Sequence, residues 1–358
     1  MNLLESFLYR SVLDLPIRRK YRTYNLVNLA NNELHHPLLE QLQSKIVRHI
    51  PGWVYSSYPS WPPVVEKLGK VYALSPEQIL LTAGSDDAYK LLTDALYLEQ
   101  GTIVTQAPNY EQLFIYAQLR RRSVETVRFR VGDGFSMKEL IDAQANRRVA
   151  VFVSNPNGPT GSEFSPNEME ELVMATAHSG NILVIDEAYI DFSEYDHLEF
   201  VRRWSHVIVV RSFSKGFALA GMRLAMVIAD ATMIDYLLRW NMSSSVSATT
   251  QRVVAEMLDQ LDVIKTVHKE IRAVRERFSE VLSRSASGLN PLATGGNFVP
   301  IQCKRNGIAE TLCSALRESG FLIRNLSDIA EMPRCVRVTV GEEYVMDEVL
   351  KVLVSVSS

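Results

Sequence analysis

Short apolar segments bounded by polar turns recur through the middle of the chain and alternate with amphipathic stretches. Strands that alternate with helices are typical of a mostly parallel sheet covered on both faces, so the pattern predicts an α/β fold. The predicted buried strands are rich in β-branched or other apolar residues and lie at 79–82, 102–105, 149–153, 182–185 and 207–210.

Helical periodicity supplies the elements between these strands. Ser165, Pro166 and Glu168 offer an N-cap, an N1 proline and an N3 glutamate, and they predict a helix that ends near Gly180. A second helix is predicted from residue 87 to residue 97.

The two ends of the chain differ from its middle. Apolar residues at helical spacing predict an amphipathic helix at 3–12, whereas the turn-rich segment 24–63 predicts no long periodic element. A charged helical pattern predicts a long helical stretch past Gln251 to about Ser283, which is suited to linking two domains. We divide the chain into an N-terminal arm that contributes to the small domain or to a dimer contact (1–30), a large domain (31–250), and the linking helix with a small α+β C-terminal domain (251–358).

Composition narrows the class of protein. The chain has 358 residues, of which 47% are hydrophobic and 22% are charged, as expected for a soluble globular protein. A formal net charge of −3 argues against a nucleic-acid partner, and no apolar run is long enough to span a membrane. Three cysteines without metal-ligand spacing predict no metal site and, with no export signal, a cytoplasmic location.

Two motifs follow neighbouring predicted strands and carry the main chemical signal. The sequence SFSKG at 212–216 follows the strand at 207–210, and DEAY at 186–189 follows the strand at 182–185. Lys215 could hold an aldehyde cofactor as a Schiff base, and Asp186 could keep a pyridine nitrogen protonated. The pair therefore indicates an enzyme that uses an aldehyde cofactor with a pyridine ring.

A phosphate site is predicted near the same sheet edge. The turn at 84–86 connects a strand to a helix, so its N–H groups and the helix dipole can hold a phosphate, and Arg223 can neutralise its charge. Taken alone, an ordinary turn and an exposed arginine are the better explanation of these features. The candidate ligands are Gly84, Ser85, Asp86, Ser212, Ser214 and Arg223.

Two further segments follow predicted strands. NPNGPTG at 155–161 fixes an unusual turn where ligands gather in open α/β sheets, although structural punctuation also explains it. Tyr110 could lay its ring over a flat cofactor or belong to the core.

Together these motifs resemble the fold-type I pyridoxal-phosphate enzymes, within them the class I/II aminotransferases, and most closely the histidinol-phosphate aminotransferase-like branch. The resemblance covers nearly the whole chain and implies a mostly parallel seven-stranded sheet, a homodimer, and pyridoxal 5'-phosphate as the cofactor. The motifs that carry it lie at 29–33, 58–59, 84–86, 108–110, 155–161, 186–189, 212–223, 296–298, 323–325 and 336–341.

The resemblance implies specific roles at the cofactor. Lys215 would anchor the cofactor and move the proton between the substrate α-carbon and the cofactor, while Asp186 would pair with the ring nitrogen. Tyr189 would hydrogen-bond the phenolic oxygen O3′, Tyr110 would stack on the ring, and Tyr58 would arrive from the second subunit. The phosphate would be held by the candidates given above.

The same resemblance implies the substrate contacts. Arg337 would grip the substrate α-carboxylate or the group in its place, Arg324 would help to hold a distal phosphate, and Asn297 would lie near the substrate. Asn31 could line the substrate mouth. These assignments predict an amino donor and a keto acceptor that are small molecules.

Two departures from the family pattern leave alternatives open. The family usually has asparagine immediately before Pro-Thr-Gly, where this chain has Gly158, so either Asn157 substitutes for it at O3′ or Tyr189 holds O3′ alone. The segment NNELHH at 31–36 differs from the usual Asn-Glu-Asn-Pro, which leaves substrates other than histidinol phosphate open.

Three hypotheses about function follow. The leading one is an aminotransferase for a small amino acid or an amino-alcohol phosphate. The second keeps the cofactor but decarboxylates the substrate, as in the threonine-phosphate decarboxylase relatives of this branch. The third is a non-catalytic binding module, which the presence of Lys215 and Asp186 disfavours. A nicotinamide dehydrogenase is disfavoured because no predicted strand leads into a G-x-G-x-x-G turn.

Overall fold

The computed structural model describes residues 25–60, 62–96, 101–242 and 244–357. The helix predicted at 3–12 therefore lies outside the described residues. The strands within these ranges are β1 (Val27–Asn28), β2 (Ile79–Thr82), β3 (Thr102–Ala107), β4 (Val124–Arg128), β5 (Val149–Ser154), β6 (Ile182–Asp186), β7 (Val207–Ser212), β8 (Ala225–Ile228), β9 (Leu289–Pro291), β10 (Phe298–Cys303), β11 (Phe321–Leu322), β12 (Arg324–Asn325) and β13 (Cys335–Thr339).

The α-helices cover the sheets and connect their strands. They are α1 (Pro37–Arg48), α2 (Trp53–Ser56), α3 (Pro62–Tyr72), α4 (Ser85–Ala95), α5 (Glu111–Leu119), α6 (Met137–Gln144), α7 (Pro166–His178), α8 (Leu198–Arg203), α9 (Ala231–Leu238), α10 (Ala248–Met257), α11 (Leu261–Ser285), α12 (Ile308–Glu318) and α13 (Glu343–Ser357). Within the described part of the chain, none of them is long and apolar enough to cross a membrane.

A seven-stranded sheet in the order β2-β8-β7-β6-β5-β3-β4 forms the larger part of the fold. Neighbouring strands are parallel except where β8 runs antiparallel to β2 and β7. The predicted α/β class and the mostly parallel sheet are thus confirmed. The sequence pattern missed β4, an edge strand with mostly exposed or half-buried side chains, and β8, a short strand directly after the lysine loop.

Alternating side chains of the central strands face two separate helical layers, because successive residues of a strand point to opposite faces. Phe152 and Val184 belong to one buried cluster together with residues of α4, α5 and α9. Val151 and Ile185 belong to the larger cluster on the opposite face. This double burial explains why the strands read as continuous apolar runs.

The C-terminal part is α+β, as predicted. An antiparallel sheet in the order β12-β13-β10-β9 packs against α11 and α12, and α13 packs against these two helices. The short β1 pairs in parallel with β11. The long helical stretch predicted past Gln251 is observed as two helices, because a 3₁₀ turn at Leu258–Gln260 separates α10 from α11. The backbone leaves helical geometry at Gln260 (φ −114°, ψ 26°), which redirects the chain.

The expectation of no long periodic element at 24–63 is also wrong, because α1 has twelve residues. His36 caps its first turn by accepting the Leu38 N–H at 3.3 Å, and Pro37 occupies the first helical position, where its missing N–H costs nothing. Leu39 and Ile46 bury the inner face of the helix. The sequence analysis treated the prolines of this segment as helix breakers, whereas Pro37 begins α1.

The capping prediction for α7 is confirmed. Ser165 Oγ accepts the Glu168 N–H at 3.3 Å, and the Glu168 carboxylate accepts the Ser165 N–H at 2.8 Å. The helix after β2 begins at Ser85, two residues earlier than predicted, and Gly84 precedes it as the N-cap. This start places the first turn of α4 at the sheet edge where β6 and β7 also end.

Candidate active site

The lysine loop leaves β7 at Ser212 and turns at once. The Ser214 N–H donates to Ser212 Oγ at 3.1 Å, and the Lys215 Nζ donates to the Asn31 carbonyl at 2.7 Å. The carbonyl of Gly216 accepts from His268 Nε2 at 2.8 Å, so α11 holds the loop just beyond the lysine. These bonds aim a half-buried amine at the carboxyl edge of the sheet.

Asp186 ends the neighbouring strand β6 and is buried. Its Oδ2 accepts the Tyr89 hydroxyl at 2.7 Å, and its Oδ1 accepts the Ala188 N–H at 2.9 Å. Burial raises the pKa of Asp186 to about 6, while these two donors act in the opposite direction. A buried carboxylate with a raised pKa is suited to share a proton with a basic ring nitrogen.

The next residue, Glu187, has the opposite electrostatic role. Burial acts to raise its pKa, but Arg211 and His197 outweigh burial and hold the pKa at about 2. Glu187 pairs with Arg211 Nε and lies 2.7 Å from His197 Nδ1. Adjacent carboxylates with pKa values pushed apart serve different tasks, so Glu187 fixes the end of the strand and leaves Asp186 for the site.

Tyr189 lies where Gly158 leaves room for its ring. A Cβ at position 158 would lie 2.9 Å from Tyr189 Cε2, so the glycine permits this close approach. Asn32 Nδ2 donates to the Tyr189 hydroxyl at 2.8 Å. That hydroxyl already accepts one hydrogen bond and keeps its own proton for an acceptor in the site.

Asn157 is used within its own turn. Its Nδ2 donates to the Pro108 carbonyl at 3.2 Å and to Gln106 Oε1 at 3.3 Å, and its Oδ1 accepts the Thr160 hydroxyl at 2.7 Å. The side chain is fully buried. A cofactor contact for Asn157 stays a prediction, and of the two alternatives the geometry favours Tyr189 alone.

The first turn of α4 forms a cradle with Arg223. Gly84 adopts φ 83°, and a Cβ there would lie 2.5 Å from Arg223 Nη2, so only glycine allows the guanidinium to lie against the helix start. Arg223 Nη2 donates to Asp86 Oδ2 at 3.1 Å, and the Tyr110 hydroxyl donates to the other oxygen of Asp86. The N–H groups of Ser85 and Asp86 belong to the first turn, which has no intrahelical acceptors.

A basic pair faces the site from the C-terminal sheet. Arg337 on β13 lies directly opposite Arg324 on β12 in the antiparallel register. Arg337 Nη2 donates to the Ala30 carbonyl at 2.7 Å, and its guanidinium carbon lies 5.1 Å from the centre of the Phe298 ring. Its Nε is buried and has no hydrogen-bond partner among the described residues. Burial, with a smaller contribution from Arg324, lowers the pKa of Arg337.

Asn297 and Asn32 join this sheet to the lysine side of the site. Asn297 Nδ2 donates to the Asn32 carbonyl at 3.2 Å, and the Asn32 N–H donates to Thr339 Oγ1 at 3.0 Å. Asn297 Oδ1 is buried without a partner in the part of the chain that the structure describes. Asn31, whose carbonyl holds Lys215, is exposed.

The structure thus brings most of the predicted site residues to one region, with Tyr58 as the exception. Tyr58 is 91% exposed on this protomer and has no place in the contacts described above. Sequence reasoning missed Asn32 and Tyr89. Tyr89 follows Ser85 by one helical turn on the same face of α4, and this spacing could have indicated a place near the site. An aromatic residue on a helix is, however, usually interpreted as part of the hydrophobic core.

These residues fit an aldehyde cofactor that carries a ring nitrogen and a phosphate. Lys215 supplies the amine and Asp186 supplies the buried acid. The cradle of Gly84 and Arg223, which a Cβ would fill, supplies N–H and guanidinium donors for a dianion. The chemistry of this donor set therefore agrees with pyridoxal 5'-phosphate.

Comparison with known proteins gives the same family. The family model described as "Aminotransferase class I and II" matches residues 24–353. Histidinol-phosphate aminotransferase 2 of Archaeoglobus fulgidus is 29% identical over 331 residues, covering 92% of each chain. The histidinol-phosphate aminotransferase of Pyrococcus furiosus is 27% identical over 353 residues, covering 97% of each.

Solved structures share the fold at lower identity. Histidinol-phosphate aminotransferase from Sinorhizobium meliloti, in complex with pyridoxal-5'-phosphate, has a TM-score of 0.83 at 21% identity and covers 98% of this chain and 97% of its own. L-threonine-O-3-phosphate decarboxylase from Porphyromonas gingivalis has a TM-score of 0.75 at 18% identity, with coverages of 92% and 99%.

Proposed function

The chain belongs to the class I and II aminotransferases, transaminases that work with pyridoxal 5'-phosphate, and from this premise we propose that it transfers the amino group of a phosphorylated amine to a keto acid. Histidinol phosphate is the candidate amine, because it is the substrate in the names of the sequence relatives. The observation that carries the proposal is the pair of opposed arginines, Arg337 and Arg324.

At the cofactor, we assign each predicted residue one task. The bound cofactor supplies a sink for the electrons of a bond broken at the substrate α-carbon. Lys215 is the attachment point, and its amine then carries the proton taken from the α-carbon. Asp186 would keep the ring nitrogen protonated, Tyr189 would donate to the phenolic oxygen, and Tyr110 would cover the ring.

The phosphate of the cofactor is assigned to the start of α4 and to the lysine loop. The proposed ligands provide backbone N–H, hydroxyl and guanidinium donors, and Asp86 would release Arg223 to the incoming dianion. Asn157 is not part of this phosphate set, and its contact with the cofactor stays a prediction because its amide is bonded within its own turn. The set comprises Gly84, Ser85, Asp86, Ser212, Ser214 and Arg223.

The substrate end of the site favours an anion. Like charges directly opposite each other on two strands destabilise a sheet, so Arg324 and Arg337 are best explained by a bound anion between or beside them. The unpartnered Nε of Arg337 offers a further donor in that direction. A phosphate ester and a carboxylate both suit guanidinium forks. Asn31 and Asn297 are the sequence neighbours of Ala30 and Phe298, which Arg337 contacts.

We predict that Arg324→Gln lowers kcat/KM for histidinol phosphate by about 10- to 100-fold, the loss expected for one hydrogen-bonded charge. The value for unphosphorylated histidinol should change by less than about threefold, within ordinary context effects. Stopped-flow loss of the cofactor's absorption band with each amine measures both constants. Arg317→Gln, an exposed arginine on α12, is the control.

Equal losses for the two amines in Arg324→Gln would contradict the phosphate assignment. Decarboxylation is tested separately by incubating the enzyme with amino acids, including phosphothreonine, and measuring both carbon dioxide and keto product in each reaction. Carbon dioxide released without keto product would replace transamination by decarboxylation.

We also propose that the enzyme is a homodimer in which Tyr58 completes the site of the second subunit. Trp53, Tyr55 and Tyr58 place three strongly exposed aromatic side chains on one short segment. Exposed aromatic residues that cluster in this way are typical of protein interfaces. We also propose a cytoplasmic location, which three free cysteines support. The domain boundaries at residues 30 and 250 are likewise proposed.

Mixing two inactive variants tests the shared site. If Tyr58→Ala and Lys215→Ala subunits exchange at random, about half the dimers are hybrids, and half of the sites in each hybrid are intact, as isologous symmetry requires. The mixture should therefore regain about one quarter of wild-type activity, whereas each variant alone stays inactive. No recovery, with hybrids demonstrated by native mass spectrometry, would mean that Tyr58 acts in its own subunit or not at all.

A further inference from the structure

The residue behind Asp186 has no task in the mechanism given above. Tyr89 is 1% exposed and Asp186 is 5% exposed, and the Tyr89 hydroxyl donates to Asp186 Oδ2 at 2.7 Å. The Ala188 N–H occupies the other carboxylate oxygen at 2.9 Å. Each oxygen thus receives one bond from the protein, and the plane of the carboxylate is fixed.

The hydroxyl of Tyr89 is not needed to fill space. Its ring packs against Phe152 and Tyr110, with centroid distances of 6.0 Å and 5.5 Å, and a phenylalanine would make the same contacts. A buried hydroxyl that donates to a carboxylate favours the anionic form and orients it. The specific contribution of this tyrosine is therefore its proton, directed at Asp186.

We propose that Tyr89 is a positioning residue that holds Asp186 as an oriented anion for the ring nitrogen of the cofactor. Tyr89 lies one turn after Ser85 on α4, so a single helix serves both ends of the cofactor. Its first turn would hold the phosphate, and Tyr89 on its second turn would orient Asp186 toward the ring nitrogen. The inference rests on the assignment of Asp186 proposed above.

The test compares two ligands on the apoprotein. Tyr89→Phe removes only the hydroxyl, and affinity is measured by quenching of tryptophan fluorescence with pyridoxal phosphate and with its 1-deaza analogue, in which carbon replaces the ring nitrogen. We expect affinity for pyridoxal phosphate to fall about tenfold, as for loss of a hydrogen bond to a charged group. Affinity for the analogue should stay within about twofold, since a structural defect would weaken both ligands alike.

Two reference variants make the result decisive. Tyr236→Phe removes a buried-end hydroxyl that donates to the Ala95 carbonyl at 2.6 Å, away from the site, and should leave both affinities unchanged. Asp186→Asn should abolish the preference for pyridoxal phosphate over the analogue. Equal losses for both ligands in Tyr89→Phe, or no loss for either, would overturn the role of Tyr89 while leaving Asp186 in place. A wild-type protein that binds both ligands equally would overturn both assignments.

Discussion

Replacing Lys215 by alanine is expected to lower kcat/KM for transamination by at least about four orders of magnitude, because in the proposed mechanism this one side chain both attaches the cofactor and carries the proton. The amine lies at the end of β7, and its Nζ is held 2.7 Å from the Asn31 carbonyl. The visible absorption of the bound cofactor should disappear in the same variant. Steady-state kinetics and an absorption spectrum of the purified protein measure the two effects.

Lys265→Ala, an exposed lysine on α11, is the matched control and should keep both activity and absorption. Borohydride reduction followed by peptide mapping identifies the labelled lysine directly. A label on another lysine, or more than about 0.01% residual activity in Lys215→Ala, would contradict the assignment, since loss of a covalent anchor leaves little catalysis.

The sequence predicted the sheet best where burial is complete on both faces. Strand β2 was predicted with its observed ends, and β5, β6 and β7 were predicted one or two residues short, because their last residues are the polar groups Ser154, Asp186 and Ser212. A prediction from apolar residues stops before a polar residue, even when that residue is the last one of the strand and lies in the site. The antiparallel β8 was missed because its direction depends on pairing with β2 and β7, which no local pattern records.

The chemistry was predictable where a motif follows a strand, and less so where a contact spans distant segments. Lys215 and Asp186 could be paired because parallel strands end at one edge of a sheet. The bonds of Asn32 to Tyr189 and of Tyr89 to Asp186 join segments far apart in the sequence. Only the folded arrangement of α4, β6 and the segment before α1 brings these partners together.

Asp186, the last residue of β6, and Glu187, the residue after it, are two adjacent buried carboxylates with opposite pKa shifts. Glu187 is compensated by Arg211 and His197, so its ionised form stabilises the fold. Asp186 lacks such a cation among the groups that shift its pKa, and burial makes its ionised form unfavourable. The protein therefore carries a cost at Asp186 that a protonated ring nitrogen would offset on binding.

Asp186→Asn should change activity and stability in opposite directions, lowering kcat/KM and raising the stability of the apoprotein. The amide keeps the shape of the side chain but cannot provide the anion, so kcat/KM should fall by about 10²- to 10³-fold, the usual loss for one preorganised electrostatic contact. Stability of the apoprotein should instead rise at neutral pH. Denaturant unfolding of both apoproteins between pH 4 and pH 8 measures the stability difference.

The sign follows from the direction of the pKa shift. Because burial raises the pKa of Asp186 from 3.8 to about 6, the folded state keeps a proton that the unfolded state has lost between these values. Wild-type stability therefore declines as pH rises through this window, by on the order of 3 kcal/mol, and the decline is complete above it. Asp186→Asn does not titrate there, so its advantage should be near zero at pH 4 and largest at pH 7. A difference independent of pH would show that Asp186 is not held as a buried acid, whereas a loss of the advantage on adding pyridoxal phosphate would place the compensating charge on the cofactor.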